Sequence, residues 1–478
     1  MDPARRGALT RAVLLGVVAL GLWLLFVEFA VLVGGGRAPN PDVPTTMART
    51  SSQAQQATVF PPAAWRSREW RRAVDAHAAV LAGLLKDGLL AASSRAVCLG
   101  VDGVHAAVAL RELGVVGAVA VATKPFPPLA VAAAGNDDHR TLLPFPDSTA
   151  DLVFAGRALD AAADLAAEAA RITRPGGHLV VLTSGARDAY SLRSLQALLP
   201  SLGLLWSREI DGTDGSTILR ELVFRKHANN IPTTTNPARK NCSTGDDHKL
   251  RLVGLAEPLI QDEPAKPWLT LKRNVRNVKY LPSLVDIGFK RRYAYVDVGA
   301  RSYGSSIGSW FRKRYPKQNR TFEVFAVEAD PAFHDEYAAK KGRVTLLPYA
   351  AWVRNDTLAF EINGMGRIRP AEEGASKSGE VRRVPAFDLA EWMTRTFSEQ
   401  DYVVVKMDVE GAEFDLVPRM LDTGAICLVD ELFLECHYNR WQRCCPGVRS
   451  PKYRNTYDEC LQLFTQLRNR GVLVHQWW

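Results

Sequence analysis

Four carboxylates follow one apolar run within a few residues of each other. Segment 403–416 reads VVVKMDVEGAEFDL, which places Asp408, Glu410, Glu413 and Asp415 shortly after three valines. Such β-branched runs are typical of strands buried in a parallel sheet, and an ionised carboxylate at a buried strand end is costly without a partner. We interpret Asp408 and Glu410 as candidates for chemistry. Glu413 and Asp415 would lie in the next helix, where acids in the first turn favour the helix dipole.

A further acid and a histidine stand two residues apart at the end of a later apolar run, LFLECH. Glu435 and His437 would share one face of a strand end, because side chains alternate along a strand. Carboxylates and imidazoles are the groups that commonly transfer protons in active sites. The candidate catalytic residues are therefore Asp408, Glu410, Glu435 and His437, with a structural histidine as the open alternative for His437.

The same residues raise the question of a metal ion. Asp408, Glu410 and His437 could hold a divalent cation, but acids at strand ends are explained without one. We therefore predict no metal site. The cysteines do not form a zinc-binding pattern either, because the chain contains no C-x-x-C pair.

Two earlier segments predict a cofactor site. In YAYVDVGARSYGSS, Asp297 ends a strand, Gly299 forms a tight turn, and Gly304 precedes a helix start. Glycine lets the backbone approach a ligand closely. The next strand, FEVFAVEADP, ends in Glu328, at a place where an acid commonly accepts hydrogen bonds from ribose hydroxyls.

These motifs, in this order, carry a resemblance to a family. DVGA, VEADP, VPAFDLAEWM, VKMDVEGAE and LFLECH resemble the pattern of FkbM-type S-adenosylmethionine-dependent methyltransferases over about residues 290–440. The match to K-x-D-V-E-G-x-E is its specific part. The sequence departs from the pattern at Tyr303, where the family has a glycine that this chain places one residue later. It also reads E-A-D-P in place of E-P.

The resemblance implies a class I methyltransferase fold with S-adenosylmethionine as cofactor. It implies that Glu328 contacts the ribose and that Asp408 and Glu410 face cofactor and acceptor. Together with Glu328 and Asp408, the cofactor-binding residues that it implies are Asp297, Gly299, Ala300 and Gly304. Removal of an alcohol proton would then require a carboxylate or histidine within hydrogen-bond reach of the acceptor.

The preceding part of the chain resembles a second methyltransferase group, the small-molecule type 11 methyltransferases. The matching segments are LPFPDSTADLVFAGRALD and RITRPGGHLVVLT, within residues 95–185. Cys98 stands about where the family has an acid, and the second strand offers Thr123 and Lys124 instead of a ribose-binding acid. We interpret this unit as a degenerate scaffold or regulatory domain.

The elements that must position these residues alternate between apolar runs and helical patterns. This alternation predicts an α/β fold with mostly parallel sheets. We expect two tandem Rossmann-like class I methyltransferase domains behind an N-terminal transmembrane helix. The predicted organisation is a cytosolic tail (1–11), a transmembrane anchor (12–33), a stem (34–63), the degenerate domain (64–225), a linker (226–264) and the FkbM-like domain with a Cys-rich extension (265–478).

The location is predicted from the N-terminus. Residues 12–33, AVLLGVVALGLWLLFVEFAVLV, are long enough to cross a bilayer, and arginines precede the span. This pattern predicts a single-pass type II membrane protein with its catalytic part in the lumen, which we place in the Golgi. The sequons at Asn241, Asn319 and Asn355 weakly support this orientation. The arrangement resembles that of plant membrane-anchored proteins of the methyltransferase class.

Six of the seven cysteines lie in the C-terminal half, where an oxidising lumen would allow some to pair. Cys98 and Cys427 read as small buried hydrophobic residues.

Composition bounds the choice of partner. Charged residues make up 23% and hydrophobic residues 47%, which is typical of a globular protein. The formal charge of +9 favours an anionic partner. We predict O-methylation of a glycan or small-molecule acceptor, and we do not expect nucleic acid as a partner. Two alternatives stay open: a non-catalytic lumenal scaffold that holds other Golgi enzymes, and a nucleic-acid methyltransferase.

Overall fold

The computed structural model describes residues 67–477, apart from 123–128, 133, 136–140, 213–216, 229–247, 266–273, 341, 364–366, 371–379, 443 and 446. Among the described residues, no helix is both long and apolar enough to cross a membrane. The predicted anchor, residues 12–33, lies outside the described residues.

The strands are numbered in chain order. They are β1 (Arg95–Cys98), β2 (Gly117–Ala122), β3 (Ala130–Ala132), β4 (Ala134–Gly135), β5 (Thr141–Leu142), β6 (Ala150–Gly156), β7 (Thr173–Thr183), β8 (Leu202–Asp211), β9 (Ile218–Lys226), β10 (Tyr293–Val298), β11 (Glu323–Val327), β12 (Thr345–Leu347), β13 (Ala350–Trp352), β14 (Asp356–Asn363), β15 (Arg367–Pro370), β16 (Glu380–Asp388), β17 (Tyr402–Met407), β18 (Glu431–Glu435) and β19 (Leu473–Trp477).

The α-helices are α1 (Arg68–Lys86), α2 (Gly103–Glu112), α3 (Ala158–Ala161), α4 (Leu165–Ile172), α5 (Ala189–Leu198), α6 (His248–Leu255), α7 (Leu281–Leu284), α8 (His334–Ala338), α9 (Leu389–Thr396), α10 (Glu413–Thr423) and α11 (Tyr457–Asn469). A π-helix covers Ile307–Phe311, and 3₁₀ turns cover Pro331–Phe333 and Ala425–Leu428.

The first sheet has seven strands in the order β3-β2-β1-β6-β7-β9-β8. Neighbours from β3 to β7 are parallel, whereas β9 runs antiparallel to both β7 and β8. Helix α1 begins at the N-cap Ser67, whose hydroxyl accepts the Trp70 N–H, and it buries Val74, Leu81 and Leu84 in the apolar core beside this sheet. Such a cap supplies a partner for a helix N–H that would otherwise lack one.

The second sheet has six strands in the order β12-β11-β10-β17-β18-β19, and every neighbouring pair is parallel. Numbered along the chain, this order is 3-2-1-4-5-6, as in doubly wound sheets, whose ligand crevice lies where the order reverses. Here the reversal falls between β10 and β17. Both strands are buried along their whole length, which agrees with the β-branched sequence of β17.

A smaller four-stranded sheet, β13-β16-β14-β15, lies in the chain between β12 and α9. Helix α9 follows it, and the Asp388 side chain caps the helix by accepting the Glu391 N–H. Parallel sheets and an α/β fold were predicted and are confirmed. That the second sheet forms a class I methyltransferase domain stays a prediction.

The two larger sheets belong to one compact unit of the chain. Polar contacts join helix α5 of the first half and its N-cap to segments that flank the second sheet. The Tyr190 hydroxyl donates to Asp430 at 2.7 Å, and Lys290 pairs with the same carboxylate at 3.3 Å. The Asp286 N–H donates to Asp188 at 2.9 Å.

Part of the predicted linker has a defined structure. Helix α6 lies within it, and the following residues pack on the second sheet. The Ile260 N–H donates to Gln476, and Glu257 contacts His475 on β19 at 2.8 Å. The predicted domain boundary at residue 265 assigns these residues to the linker, whereas in the structure they pack on the second sheet.

The cysteines divide as follows in the described part of the chain. Cys436 and Cys460 form a disulfide that joins the end of β18 to α11. Cys98 is buried and free, as predicted. The interpretation of Cys427 as a simple buried hydrophobic residue is wrong, because Cys427 is disulfide-bonded. Cys444 and Cys445 are free and exposed.

Candidate active site at the carboxyl ends of the second sheet

Asp297 ends β10 beside the crevice and is completely buried. Its Oδ2 accepts hydrogen bonds from the Tyr295 hydroxyl at 3.1 Å and from the Ser306 hydroxyl. Its Oδ1 lies 3.6 Å from the Lys406 ammonium. Burial raises the pKa of Asp297, although Lys406 and the two hydroxyls oppose the rise. The Asp297 side chain has no exposed surface, and its assignment as a cofactor-binding residue stays a prediction.

Gly299 brings the ends of β10 and β17 together. Its φ is +78°, and a Cβ added there would lie 1.9 Å from the Asp408 carbonyl oxygen. The Asp408 N–H donates in turn to the Val298 carbonyl at 2.9 Å. Only glycine fits such a contact at a positive φ. Gly299 therefore sets the distance between the predicted cofactor turn and the predicted catalytic acids.

The other predicted residues of the turn have different environments. Ala300 is buried, and its carbonyl accepts the Ser305 hydroxyl at 2.7 Å. Gly304 is exposed, and a Cβ added there would meet nothing within 4 Å. Tyr303, which stands at the family's glycine position, packs against Gly308 of the π-helix.

Glu328 follows β11, next to β10, where a ribose-binding acid is expected. Its two oxygens accept the backbone N–H groups of Arg301 and Asp330. Burial raises its pKa, and these two hydrogen bonds oppose the rise. A carboxylate has about four lone-pair sites, so each oxygen can still accept a hydroxyl. The residue therefore fits the ribose of an adenosyl cofactor.

The structure brings together the four predicted catalytic residues. His437 Nε2 lies 3.6 Å from Asp408 Oδ1, 3.8 Å from Glu435 Oε1 and 4.0 Å from Glu410 Oε2. The His437 side chain is 10% exposed, whereas Asp408 is 31% exposed and therefore accessible to a ligand. The imidazole is thus held beneath three carboxylates at the edge of the crevice.

Glu413 lies in the first turn of the helix, as predicted, and it also holds this histidine in place. It is completely buried, although it stands in the first turn of α10. One oxygen accepts the His437 backbone N–H and lies 3.2 Å from His437 Nδ1, while the other accepts the Gly411 N–H at 2.9 Å. With Nδ1 bonded to Glu413, Nε2 is directed at the other carboxylates.

Glu410 adopts a strained backbone conformation, with φ of +51° at a residue other than glycine. Its carboxylate accepts the Lys452 ammonium at 2.6 Å and the Tyr453 hydroxyl. Burial opposes the charged form, but His437, Lys452 and Tyr453 outweigh it and lower the pKa of Glu410 to about 2. Strain of this kind persists only where the surroundings determine the conformation, and it is common at functional sites.

Glu435 and His437 differ in their protonation states at neutral pH. Burial, and then the charge of Asp408, raise the pKa of Glu435 to about 7. For His437, burial opposes the imidazolium, but the hydrogen bond to Glu413 and the surrounding carboxylates outweigh it and raise the pKa to about 9. At neutral pH the imidazole is a cation, whereas Glu435 titrates close to neutral pH. A general base works best with such a pKa.

Asp408, Glu435 and His437 also offer ligand atoms that lie within 4.8 Å of one another, so they could hold a metal ion. Lys406 already supplies a positive charge 3.6 Å from Asp408. The prediction that no metal is used stays a prediction.

Sequence reasoning missed four residues of the site: Lys406, Glu413, Lys452 and Tyr453. Lys406 carried a signal, because a lysine inside an otherwise apolar strand needs a buried partner. Lys452 and Tyr453 carried none, since they approach Glu410 from a segment that follows β18 along the chain.

At the corresponding positions of the first sheet, the described residues include Cys98 and Gly100. Cys98 ends β1, is completely buried, and has its thiol pKa raised by that burial. Gly100 follows with φ of +81°, and a Cβ added there would lie 2.9 Å from the Ala158 Cβ. Thr123 and Lys124 lie outside the described residues.

Two family matches divide the chain. Residues 91–181 match a family described as a methyltransferase domain. Residues 253–361 and 357–478 match a family described as a domain of unknown function, DUF7870. The chain thus contains a methyltransferase domain in its first half, and this match supports S-adenosylmethionine as the cofactor. The chain matches no curated protein.

Similar solved structures each span about a third of the chain. The N-methyltransferase NodS from Bradyrhizobium japonicum, with S-adenosyl-L-homocysteine, is 17% identical, with coverage of 34% of this chain and 89% of its own and a TM-score of 0.23. An S-adenosylmethionine-dependent methyltransferase from Aquifex aeolicus is 14% identical over 30% and 88% of the two chains, with a TM-score of 0.24. The [4+2]-cyclase SpnF is 12% identical over 32% and 81%, with a TM-score of 0.25. At these values the similarities do not identify an activity.

Proposed function

We propose that the chain is an S-adenosylmethionine-dependent O-methyltransferase whose reaction takes place at the carboxyl ends of the second sheet. The observation that carries the proposal is the cluster of Asp408, Glu410, Glu435 and His437 beside the Gly299 turn. It lies at the point where the strand order of a doubly wound sheet reverses, which is where such sheets bind ligands. The resemblance to FkbM-type methyltransferases, quoted above by its motifs, supports the same assignment.

The residues of this site fit the cofactor. Glu328 has lone pairs left for ribose hydroxyls, and the crevice at the ends of β10 and β17 is rich in carboxylates, which suits a sulfonium cation. When bound, S-adenosylmethionine supplies an electrophilic methyl group. The chain itself must align an acceptor hydroxyl and remove its proton, and alignment is worth much of the barrier in such displacements.

Glu435 is the general base of this proposal. Its pKa near 7 lets it take the acceptor proton at neutral pH, whereas the His437 imidazolium has no free lone pair to do so. His437 instead stabilises the ionised carboxylates around it and keeps them in position. Asp408 is the most exposed of the group and faces the acceptor.

The acceptor and the location extend the proposal. A glycan or small-molecule hydroxyl in the secretory lumen, most simply in the Golgi, is supported by the apolar span 12–33 and by the basic charge. The Cys436–Cys460 disulfide suits an oxidising compartment. Asn319 and Asn355 are exposed, as glycosylation would require.

The test is calorimetric binding of S-adenosylmethionine to the full chain. We expect one saturable site that Glu328→Gln weakens at least tenfold and that Asp102→Asn, on the first sheet, leaves unchanged. The opposite result would place the cofactor in the first domain, whose match to a methyltransferase family makes it the second candidate. A folded wild-type chain that binds no cofactor would contradict both and favour a scaffold.

A further inference from the structure

A polar cleft of about 280 Å³ lies between the two large sheets, away from the site described above. One wall comes from the carboxyl ends of β6 and β7, and the other comes from the second half of the chain. The residues that matter are Arg157, Asp160 and Gly185 on the first wall and Asp286, Phe289 and Arg320 on the second. Crevices at the carboxyl ends of doubly wound sheets are the usual ligand sites of such folds.

Two polar atoms at this cleft are buried and lack a hydrogen-bond partner in the described part of the chain: Asp160 Oδ2 and Arg320 Nε. Arg157 Nε lies 3.7 Å from Asp160 Oδ2, which is beyond hydrogen-bond distance. Buried polar atoms are nearly always paired, and an unpaired one is destabilising. The cleft therefore offers one donor and one acceptor for which a ligand can supply partners.

The walls hold these groups in fixed positions. Asp160 Oδ1 accepts a hydrogen bond from the Thr183 hydroxyl at 2.5 Å, and this bond fixes the carboxylate while Oδ2 takes no part in it. Asp286 Oδ1 likewise accepts the Gly288 N–H at 2.8 Å. A Cβ added at Gly185 would lie 2.9 Å from Asp286 Oδ2, so the two walls approach each other closely at this point.

Backbone strain surrounds the cleft on both walls. Ala186 has φ of +54° and Phe289 has φ of +58°, although neither is glycine. Phe289 is buried among side chains of the first sheet's core, which anchors the second wall to the first. Such conformations are strained and are common at ligand sites.

The charges of the walls select the ligand. Two guanidinium groups, Arg157 and Arg320, face two carboxylates, Asp160 and Asp286, so the lining carries no net charge but both signs. The attraction of a lone ion to one pair of groups is offset by its repulsion from the other pair, whereas a zwitterion can pair with both signs. We infer that the cleft binds a small zwitterion, an α-amino acid or a molecule with an amino-acid end. The ligand's carboxylate would bind Arg320 and its ammonium would bind Asp160. The volume lies just below that of typical ligand pockets, which suits a ligand of this size.

The experiment is calorimetric titration of the full chain with a panel of the L-amino acids. At least one should bind saturably, and Arg320→Gln and Asp160→Asn should each weaken it about tenfold or more. Arg314→Gln, an exposed arginine outside the cleft, is the matched control and should leave the affinity unchanged. Propionate and ethylamine, which each carry one of the two charges, should bind far more weakly.

Three outcomes would overturn the inference: no saturable binding, an affinity that both variants leave unchanged, or displacement of the amino acid by S-adenosylhomocysteine. The last would assign the cleft to the amino-acid end of the cofactor. If Arg320→Gln fails to fold, Asp160→Asn decides alone, because Asp160 is the proposed partner of the ligand's ammonium group. This result is independent of the reaction proposed for the second sheet.

Discussion

Replacing Glu413 by glutamine tests whether a buried carboxylate keeps His437 protonated. The change preserves the shape of the side chain and removes its charge. In the wild-type protein Glu413 bonds both the backbone N–H and Nδ1 of His437, and it makes the largest favourable contribution to the imidazolium. Glutamine can still accept one of these hydrogen bonds, so the fold should survive.

The expected magnitude follows from the pKa of His437, which is about 9 against an ordinary value of 6.5. Glu435 and Asp408 contribute to the rise and remain in the variant, while burial continues to oppose the charge. We therefore expect the pKa to fall by at least about one unit, which corresponds to about 1.4 kcal/mol.

The sign of the stability change follows from this raised pKa. The stability due to His437 is fully present below its unfolded pKa and is lost as pH rises through the folded value of about 9. In both proteins the loss begins as pH rises above the unfolded pKa, and in Glu413→Gln it should be complete at a lower pH because the folded pKa is lower. The variant should therefore lose the most stability, relative to the wild-type protein, below about pH 6.5.

The assay is an NMR titration of histidine-labelled chain, with His437→Gln to assign the signal, alongside urea unfolding at several pH values. Asp415→Asn, an exposed acid two residues further along the helix, is the matched control and should leave the titration of His437 unchanged. An unaltered pKa of His437 in Glu413→Gln would refute the role given to Glu413.

Three further predictions concern the same region. Glu435→Gln should lower kcat about 100-fold and abolish the rise of kcat with pH near 7, and a pH–rate profile in which that rise persists would exclude Glu435 as the base. Gly299→Ala should lower the free energy of unfolding by more than about 3 kcal/mol, because the added Cβ meets the Asp408 carbonyl at a positive φ, whereas Gly304→Ala should change it by less than about 0.5 kcal/mol; denaturant unfolding compares the two. Cys460→Ser opens a loop of 24 residues and should cost about 3 kcal/mol, and Cys436→Ser should cost the same; both are measured by denaturant unfolding without reductant, because reduction would also break the disulfide of Cys427.

The gathering of the four catalytic candidates could be predicted from the sequence. Asp408 and Glu410 follow β17, while Glu435 ends β18, and these two strands are parallel neighbours. Parallel strands end at the same edge of a sheet, so acids placed at their ends must converge. The apolar runs predict the strands, and the acids that directly follow them are predicted to lie at the carboxyl edge of the sheet.

The separate role of each residue in the site could not be predicted from the sequence in this way. Glu413 has the sequence position of a helix-dipole residue, yet the turn of α10 places it against His437 in the interior. Its role depends on burial, which sequence spacing does not report. The same holds for Asp297, which resembles a cofactor ligand by motif and is completely enclosed in the structure.

The sequence by itself determined the α/β architecture and the residues at the strand ends, because the alternation of apolar runs and helices reflects local backbone preference and burial. Only the tertiary structure decided which carboxylate takes a proton near neutral pH. The pKa of Glu435 depends on burial and on charges contributed by β17 and β18, and that of His437 depends on a helix that follows β17. These electrostatic effects act over a few ångströms in space between residues that are distant in the chain, so they arise only when the sheet has formed.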